Sequence, residues 1–442
     1  MSLLDRAATM RDAEVTPRRS LATVVAVVFI DLLGFGIIIP VLPFYVRSFG
    51  VSDVFIGLLA ASYSLMQFGF APLLGRLSDS RGRRPVLVLS LLANAAAWTL
   101  FGLAAEFGAA FGVVGALGVL FGARMLAGAM GGNIAAAQAY IADVTPKEKR
   151  AASLGLVGAA FGLGFVFGPA LGAVFASDPV VTAADALFPA FIPATPYSLP
   201  SFAAAGLSLC AVLAALLFLP EPERKRPANG RSGLVSTFRT ALADAELRPL
   251  VLVFLVSSVA FSGVQVVFIP FAADAFGYAE AQAGLLLTYI GVLGVLNQGV
   301  VVRALSRRFP NGRLALGGAA LLCVALAALP FAGPIGSLLP AALSLFGEGP
   351  ALVVLLFVLA LLSTGNGLLN VGIAAMVSDA AGEESQGVAF GVTQGAGSLG
   401  RTVGPPVMAA LYVLARPAPF ELGAVLTLGT VAILLPLARA TR

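Results

Sequence analysis

Apolar residues run along this chain in long blocks, separated at regular intervals by short polar segments. A helix needs about 20 predominantly apolar residues to cross a bilayer. Windows of that kind predict twelve spans, over 21–46, 54–75, 85–105, 111–141, 151–176, 199–220, 249–272, 281–303, 312–332, 350–377, 386–414 and 420–438. The first apolar run is longer than a signal-peptide core of roughly 7–15 residues, so it reads as a retained span. The polar segment 221–248 separates the first six spans from the last six and reads as a charged, Pro-containing linker, with a short surface helix over 232–247. The Pro-rich segment 177–198, on the other side, reads as irregular loop.

Charge turns the spans into a topology. Of the 27 Lys and Arg residues, all but Arg47, Arg416, Arg124 and Arg401 fall in segments on the N-terminal side of the membrane. The positive-inside bias makes that side cytoplasmic and places both termini there. An odd number of spans would spoil the asymmetry. The expected architecture is an all-α integral membrane protein with twelve transmembrane helices in two pseudo-symmetric bundles. Its parts are a cytoplasmic segment 1–20, a six-helix bundle 21–220, the linker 221–248, a second six-helix bundle 249–438 and a cytoplasmic tail 439–442.

Composition excludes other classes. Hydrophobic residues make up 59% of the chain and charged residues 11%, against about 25% charged in soluble domains. Cys210 and Cys323 fall inside spans, so free thiols are expected, with no disulfide and no metal site. There is no histidine, so proton chemistry near neutrality must rest on carboxylates. No phosphate-binding loop, Gly-x-Ser-x-Gly elbow or paired acids at a span end is present. The chain is therefore not expected to be an enzyme, to hold a cofactor or to bind nucleic acid.

The halves repeat. A shift of 236 residues carries Asp143 onto Asp379, Gly155 onto Gly391, Gly164 onto Gly400 and Gly168–Pro169 onto Gly404–Pro405. Two repeated six-helix halves suggest a transporter that rocks one half against the other around a central site. The Gly-rich helices fit that motion and fit static close packing equally well.

The loop after the second span reads "GRLSDSRGRRPVL". At Gly75, Leu77, Asp79, Gly82, Arg83 and Arg84 it resembles the loop motif of the major facilitator superfamily. Three further matches follow: Asp31, Gly34 and Pro40 in span 1; "RMLAG", with Arg124 and Gly128, in span 4; and "GLGFVFGPALG" in span 5. The last resembles the antiporter motif at Gly164, Gly168, Pro169 and Gly172. The resemblance covers the whole chain and is strongest to the tetracycline/proton antiporter-like drug exporters. It implies a cavity lined by spans 1, 4, 7 and 10, a multi-pass protein of the cell membrane and a functional monomer. Its partners would be a small-molecule substrate, protons and the lipid bilayer. It also implies that Asp79 docks at the start of span 11, near Ser385–Gln386, and that Asp143 pairs with an arginine of the loop; both would latch the inner face. A helix N-terminus favours such an anion. The second-half copy, "RALSRRFPNGR", has Arg307 or Arg308 where the acid would stand, so a single latch is expected.

Two charges lie deep in the spans. Asp31 is about ten residues into its helix, roughly 15 Å at about 1.5 Å per residue, and Arg124 reaches a similar depth. Facing lipid, each would cost about 2.5–3.5 kcal/mol, so they should face a wet cavity or each other. Either Asp31 carries the coupled proton and Arg124 responds, or the two form a static ion pair. Arg401 in span 11 matches no family motif; it binds an anion, pairs with an acid or is satisfied by helix carbonyls. Gln138, Gln265, Asn297, Gln298, Asn366 and Asn370 are substrate-contact candidates, and interhelical hydrogen bonding explains such residues as well. Tetracycline exporters carry further ionisable groups in the second half, including a His near the position of Asn297. Their absence argues against tetracycline as substrate. The expected function is proton-coupled export of small amphipathic or drug-like compounds by alternating access; the alternative is a sugar or metabolite exporter or facilitator on the same fold.

Overall fold

The computed structural model describes residues 17–131, 133–189, 191–222, 243–345, 348–381 and 386–440. Its long helices are α1 (Pro17–Ile38), α2 (Val54–Arg81), α3 (Arg83–Gly102), α4 (Ala104–Met130), α5 (Lys147–Phe175) and α6 (Ser198–Phe218) in the first half. The second half holds α7 (Leu247–Phe276), α8 (Glu280–Leu296), α9 (Asn311–Ala328), α10 (Pro350–Ala380), α11 (Gln386–Leu414) and α12 (Ala418–Ala440). Shorter pieces continue four of them: Leu42–Ser48 after α1, Asn133–Val144 after α4, the π-helical turn Asn297–Val302 with Arg303–Ser306 after α8, and Leu329–Phe331 with Ala332–Ser337 after α9. No strand occurs among the described residues, only an isolated bridge between Leu345 and Glu348.

Among the described residues, eleven helical runs are long and apolar enough to cross a membrane. The helix α11 is not one of them, although it is 29 residues long. Thr393, Gln394, Ser398, Arg401, Thr402 and the Pro405–Pro406 pair dilute its hydropathy. Three of these, Gln394, Arg401 and Pro405, line the central cavity, and a helix facing water on one side needs no uniformly apolar surface. Large apolar side chains such as Leu65, Phe357 and Leu428 stay exposed around the bundle, the surface a bilayer covers.

The segment expected to be irregular, 177–198, contains a helix, Asp178–Leu187. Pro179 stands at its first turn, where the missing N–H costs nothing, and the three Ala and the Leu of "TAADAL" favour helix. The prolines of the loop therefore start this element rather than prevent one. The surface helix expected over 232–247 falls largely on 223–242, outside the described residues, as does most of the linker.

The packing repeats with the chain. In the first half α1 packs on α5 and α6, α3 on α6, and α2 on α4; in the second half α7 packs on α11 and α12, and α9 on α12 and α10. Contact between the halves runs through α2 with α11 and through α5 with α8. A shift of six helices exchanges these two seams. Each is a backbone approach. A Cβ on Gly57 of α2 would lie 2.5 Å from the Pro405 carbonyl oxygen, and one on Gly284 of α8 would lie 2.8 Å from that of Pro169. Small residues let helices come this close in lipid.

Candidate functional site: a cavity between the halves

The site starts with the glycines that bring its helices together. In α5, Gly164 abuts Leu32 and Gly168 abuts Gly36, where a Cβ on Gly168 would meet the Gly36 Cα at 2.6 Å. Gly172 packs on the Ile37 carbonyl and Pro40. The repeated pair does the same in α11, with Gly400 against Ser258 and Gly404 against Val259 of α7. Gly128 of α4 presses on the backbone of Tyr63 in α2. That approach sets the guanidinium of Arg124, one turn earlier, over the Tyr63 ring at 4.8 Å and the Phe35 ring at 5.9 Å.

A cavity of about 540 Å³ lies between the halves. Its walls come from α1 to α5 on one side and from α7 and α11 on the other. Asp31, Arg124 and Arg401 are its charged lining residues. Asp31 is buried and accepts a hydrogen bond from Asn94 Nδ2 at 2.9 Å. The Asn94 carbonyl oxygen is buried with no partner, and so is Arg124 Nε. Arg401 Nη2 donates to Ser398 Oγ, one turn back, at 2.9 Å. Among the described residues no carboxylate lies within 4 Å of either arginine. Rings, rather than Asp31, form the bed of Arg124.

The substrate-contact candidates separate. Gln265 and Arg401 line the cavity. Asn297 donates to Ser363 Oγ at 3.3 Å and accepts from Thr364 Oγ1 at 3.2 Å, binding the α8 turn to α10. Asn370 donates to Asn366 Oδ1 at 2.8 Å, and Gln138 and Gln298 are exposed. None of these last five is a lining residue, nor is any other described residue of α10, the tenth span that the resemblance placed on the cavity. The second-half wall is instead α7 and α11.

The loop motif builds a joint inside the first half. Arg83 donates to Asp79 at 2.6 Å and to Asp143 at 3.1 Å. The Arg84 guanidinium caps the end of α6 by donating to the Ala215 and Leu216 carbonyls. Glu221 accepts the backbone N–H groups of Arg83 (2.7 Å) and Arg84 (2.9 Å), closing the N-terminus of α3 with an anion. Gly82, just before them, has φ +113°, which favours glycine, and a Cβ there would strike the Glu221 carboxylate. Nothing in the structure explains Gly75. The Asp79 dock at the start of α11 falls on residues 382–385, outside the described ones. In the second half, Asn311 occupies the place of Arg83, and its amide donates to Asp379 at 2.9 Å.

Sequence reasoning missed a second charged cluster at the opposite end of α2. Arg47 is bidentate to Asp53 (2.8 and 2.7 Å) and to Asp274 of α7 (2.9 and 3.0 Å). Tyr412 of α11 donates to Asp274 at 2.8 Å, and Arg416 stands 3.8 Å away. The signal was visible: Arg47 and Arg416 are the two basic residues on the sparsely charged side. Their joint acid is 227 positions from Arg47, a separation no local pattern links.

Comparisons with known proteins agree with this architecture. The family model described as Major Facilitator Superfamily matches residues 24–405. The tetracycline resistance protein, class C, of Escherichia coli is 30% identical over 399 residues, covering 89% of each chain. The class G protein of Vibrio anguillarum is 30% identical over 401 residues, 89% of this chain and 91% of that one. The crystal structure of the human organic anion transporter MFSD10 (TETRAN) superposes with a TM-score of 0.64 at 25% identity, over 95% of this chain and 100% of that one. An inward-facing, unoccupied bacterial homologue of the lysosomal transporter Spinster shares the fold, with a TM-score of 0.74 at 14% identity over 97% and 98% of the chains. A match across most of the chain, relatives at 30% identity and a two-half helical bundle lead to one conclusion: this multi-pass membrane protein belongs to the major facilitator superfamily, whose members are transporters and not enzymes.

Proposed function

We propose that the protein is a proton-coupled exporter of small amphipathic or drug-like compounds in the cell membrane, working by alternating access with twelve spans and both termini cytoplasmic. The observation that carries this reading is the placement of Asp31. Among the described residues it is the single acid lining a cavity whose walls belong to both halves, so its charge is felt by any occupant and by any movement of one half against the other. Asn94 suits both protonation states. Its N–H group serves the carboxylate, and its unpartnered carbonyl can accept the O–H of the neutral acid once the amide turns. The relatives named for tetracycline resistance support export of drug-like solutes. The Arg47–Asp274 ion pair, which crosses between the halves, supports a state closed at that end.

A proton and a substrate coupled through one carboxylate must each favour a different state. Dye efflux from cells, with and without a protonophore, is the test. Uphill efflux should collapse with the proton gradient, and Asp31→Asn should lower uphill efflux at least ~100-fold while downhill movement survives. Full uphill transport by the asparagine variant would remove Asp31 from the coupling.

A further inference from the structure

The cavity carries more positive charge than the coupling role of Asp31 requires. Arg124 and Arg401 face one acid, and neither has a carboxylate within 4 Å among the described residues. Arg124 is more than nine-tenths buried, lies on two ring faces, and leaves Nε without a partner. Arg401 spends one N–H on Ser398, and Arg has five to offer. The two guanidiniums come from opposite halves, α4 and α11, and line one cavity with Tyr63. Guanidinium forks match carboxylate, sulfonate and phosphate oxygens, and unpaired ones at this depth are costly. Phe35, Tyr63 and Trp98 supply flat apolar walls beside them.

We propose that Arg124 and Arg401 together hold the anionic group of an aromatic amphiphile, so that the substrate bridges the two halves through a carboxylate-, sulfonate- or phosphate-like head. This rests on the cavity being the transport site. Its electrostatics have a sign. With Asp31 ionised the three charges sum to +1, and with Asp31 protonated to +2, so a bare anion binds better as Asp31 takes a proton. Exchange of substrate for proton at Asp31 then requires a second substrate group, cationic or hydrogen-bond donating, that competes with the proton there.

The protein has a single tryptophan, and Trp98 lines this cavity, so its emission reports occupancy. Purified protein in nanodiscs is titrated with 4-phenylbutane-1-sulfonate, 4-phenylbutan-1-ol and 4-phenylbutylammonium, which share a ring and differ in head charge. The sulfonate should bind at least tenfold more tightly than the alcohol. Arg124→Gln and Arg401→Gln should each remove most of that preference by weakening the sulfonate far more than the alcohol, with folding checked separately by the thermal unfolding midpoint. Lowering the pH should tighten sulfonate binding by roughly tenfold, and Asp31→Asn should abolish that dependence. Equal affinity for sulfonate and alcohol, or a preference untouched by both arginine variants, overturns the proposal. Anion binding without proton-dependent efflux would break the proton-coupling reading and leave this one standing. Efflux of cationic dyes with no sulfonate preference would do the reverse.

Discussion

The Arg83 joint and the Arg47 cluster sit at the two ends of α2, about 40 Å apart at 1.5 Å per residue. Both set one arginine between two aspartates, with all six side chains partly exposed. Their reach differs. Arg83 joins Asp79 and Asp143, both of the first half, while Arg47 joins Asp53 of the first half to Asp274 of the second. Through their arginines the first pairing stays within one bundle and the second spans two, while the expected dock of Asp79 on α11 falls on residues 382–385, outside the described ones. The lesson is that a charged motif in a loop says little about gating until the ownership of its partners is known.

The comparison breaks most readily at Asp274, which serves Arg47, Tyr412 and Arg416 together. Hydrogen bonds to charged groups contribute about 1.5–3 kcal/mol each when fully formed, and partial exposure lowers that. Asp274→Ala should therefore favour opening at this end by about 2 kcal/mol, roughly 30-fold. The measure is the alkylation rate of a cysteine placed at cavity-lining Ile39, in a background lacking Cys210 and Cys323. An unchanged rate would show that the halves are held at this end by apolar packing alone. At the other end, Gly82→Ala imposes strain at φ +113° and pushes on Glu221, which should cost about 1–3 kcal/mol. That loss is read as a lower thermal unfolding midpoint with no change in Ile39→Cys labelling; faster labelling would show that the Arg83 joint also gates. The smallest effect is expected for Asn311→Arg, which gives the second half the ion pair of the first. The Asp379 site is exposed, so the gain should stay within about 0.5 kcal/mol; a larger rise in the unfolding midpoint would mean that charge, not fold position, makes the Arg83 joint strong.

Much of this was legible in the sequence, for reasons tied to particular residues. Long apolar blocks gave the helices because lipid allows few alternatives for a spanning backbone. Gly164 and Gly168 announced their copies Gly400 and Gly404, and both pairs lie in matching helix seams. Asp31 and Arg124 stood out because charge in an apolar run is costly. What the sequence hid was relational. Asn297 read as a substrate-contact candidate, yet Ser363 and Thr364 take up its amide. Glu221 read as the first residue of a linker and is an anion at a helix start. The aromatic bed of Arg124 depends on Gly128 bringing α4 onto Tyr63, a contact that spacing alone does not reveal.

Arg401 stands between Gly400 and Gly404, the residues through which α11 bears directly on the backbone of α7. The same two helices end in Tyr412 and Asp274, the second-half members of the Arg47 clamp. A ligand held by the Arg401 guanidinium, as proposed above, would pull on the same two helices that carry the clamp, with the arginine as the handle and the Pro405–Pro406 bend between the two. Molecules that grip the handle need not reach the clamp, some eleven residues or about 16 Å along α11, to load it mechanically.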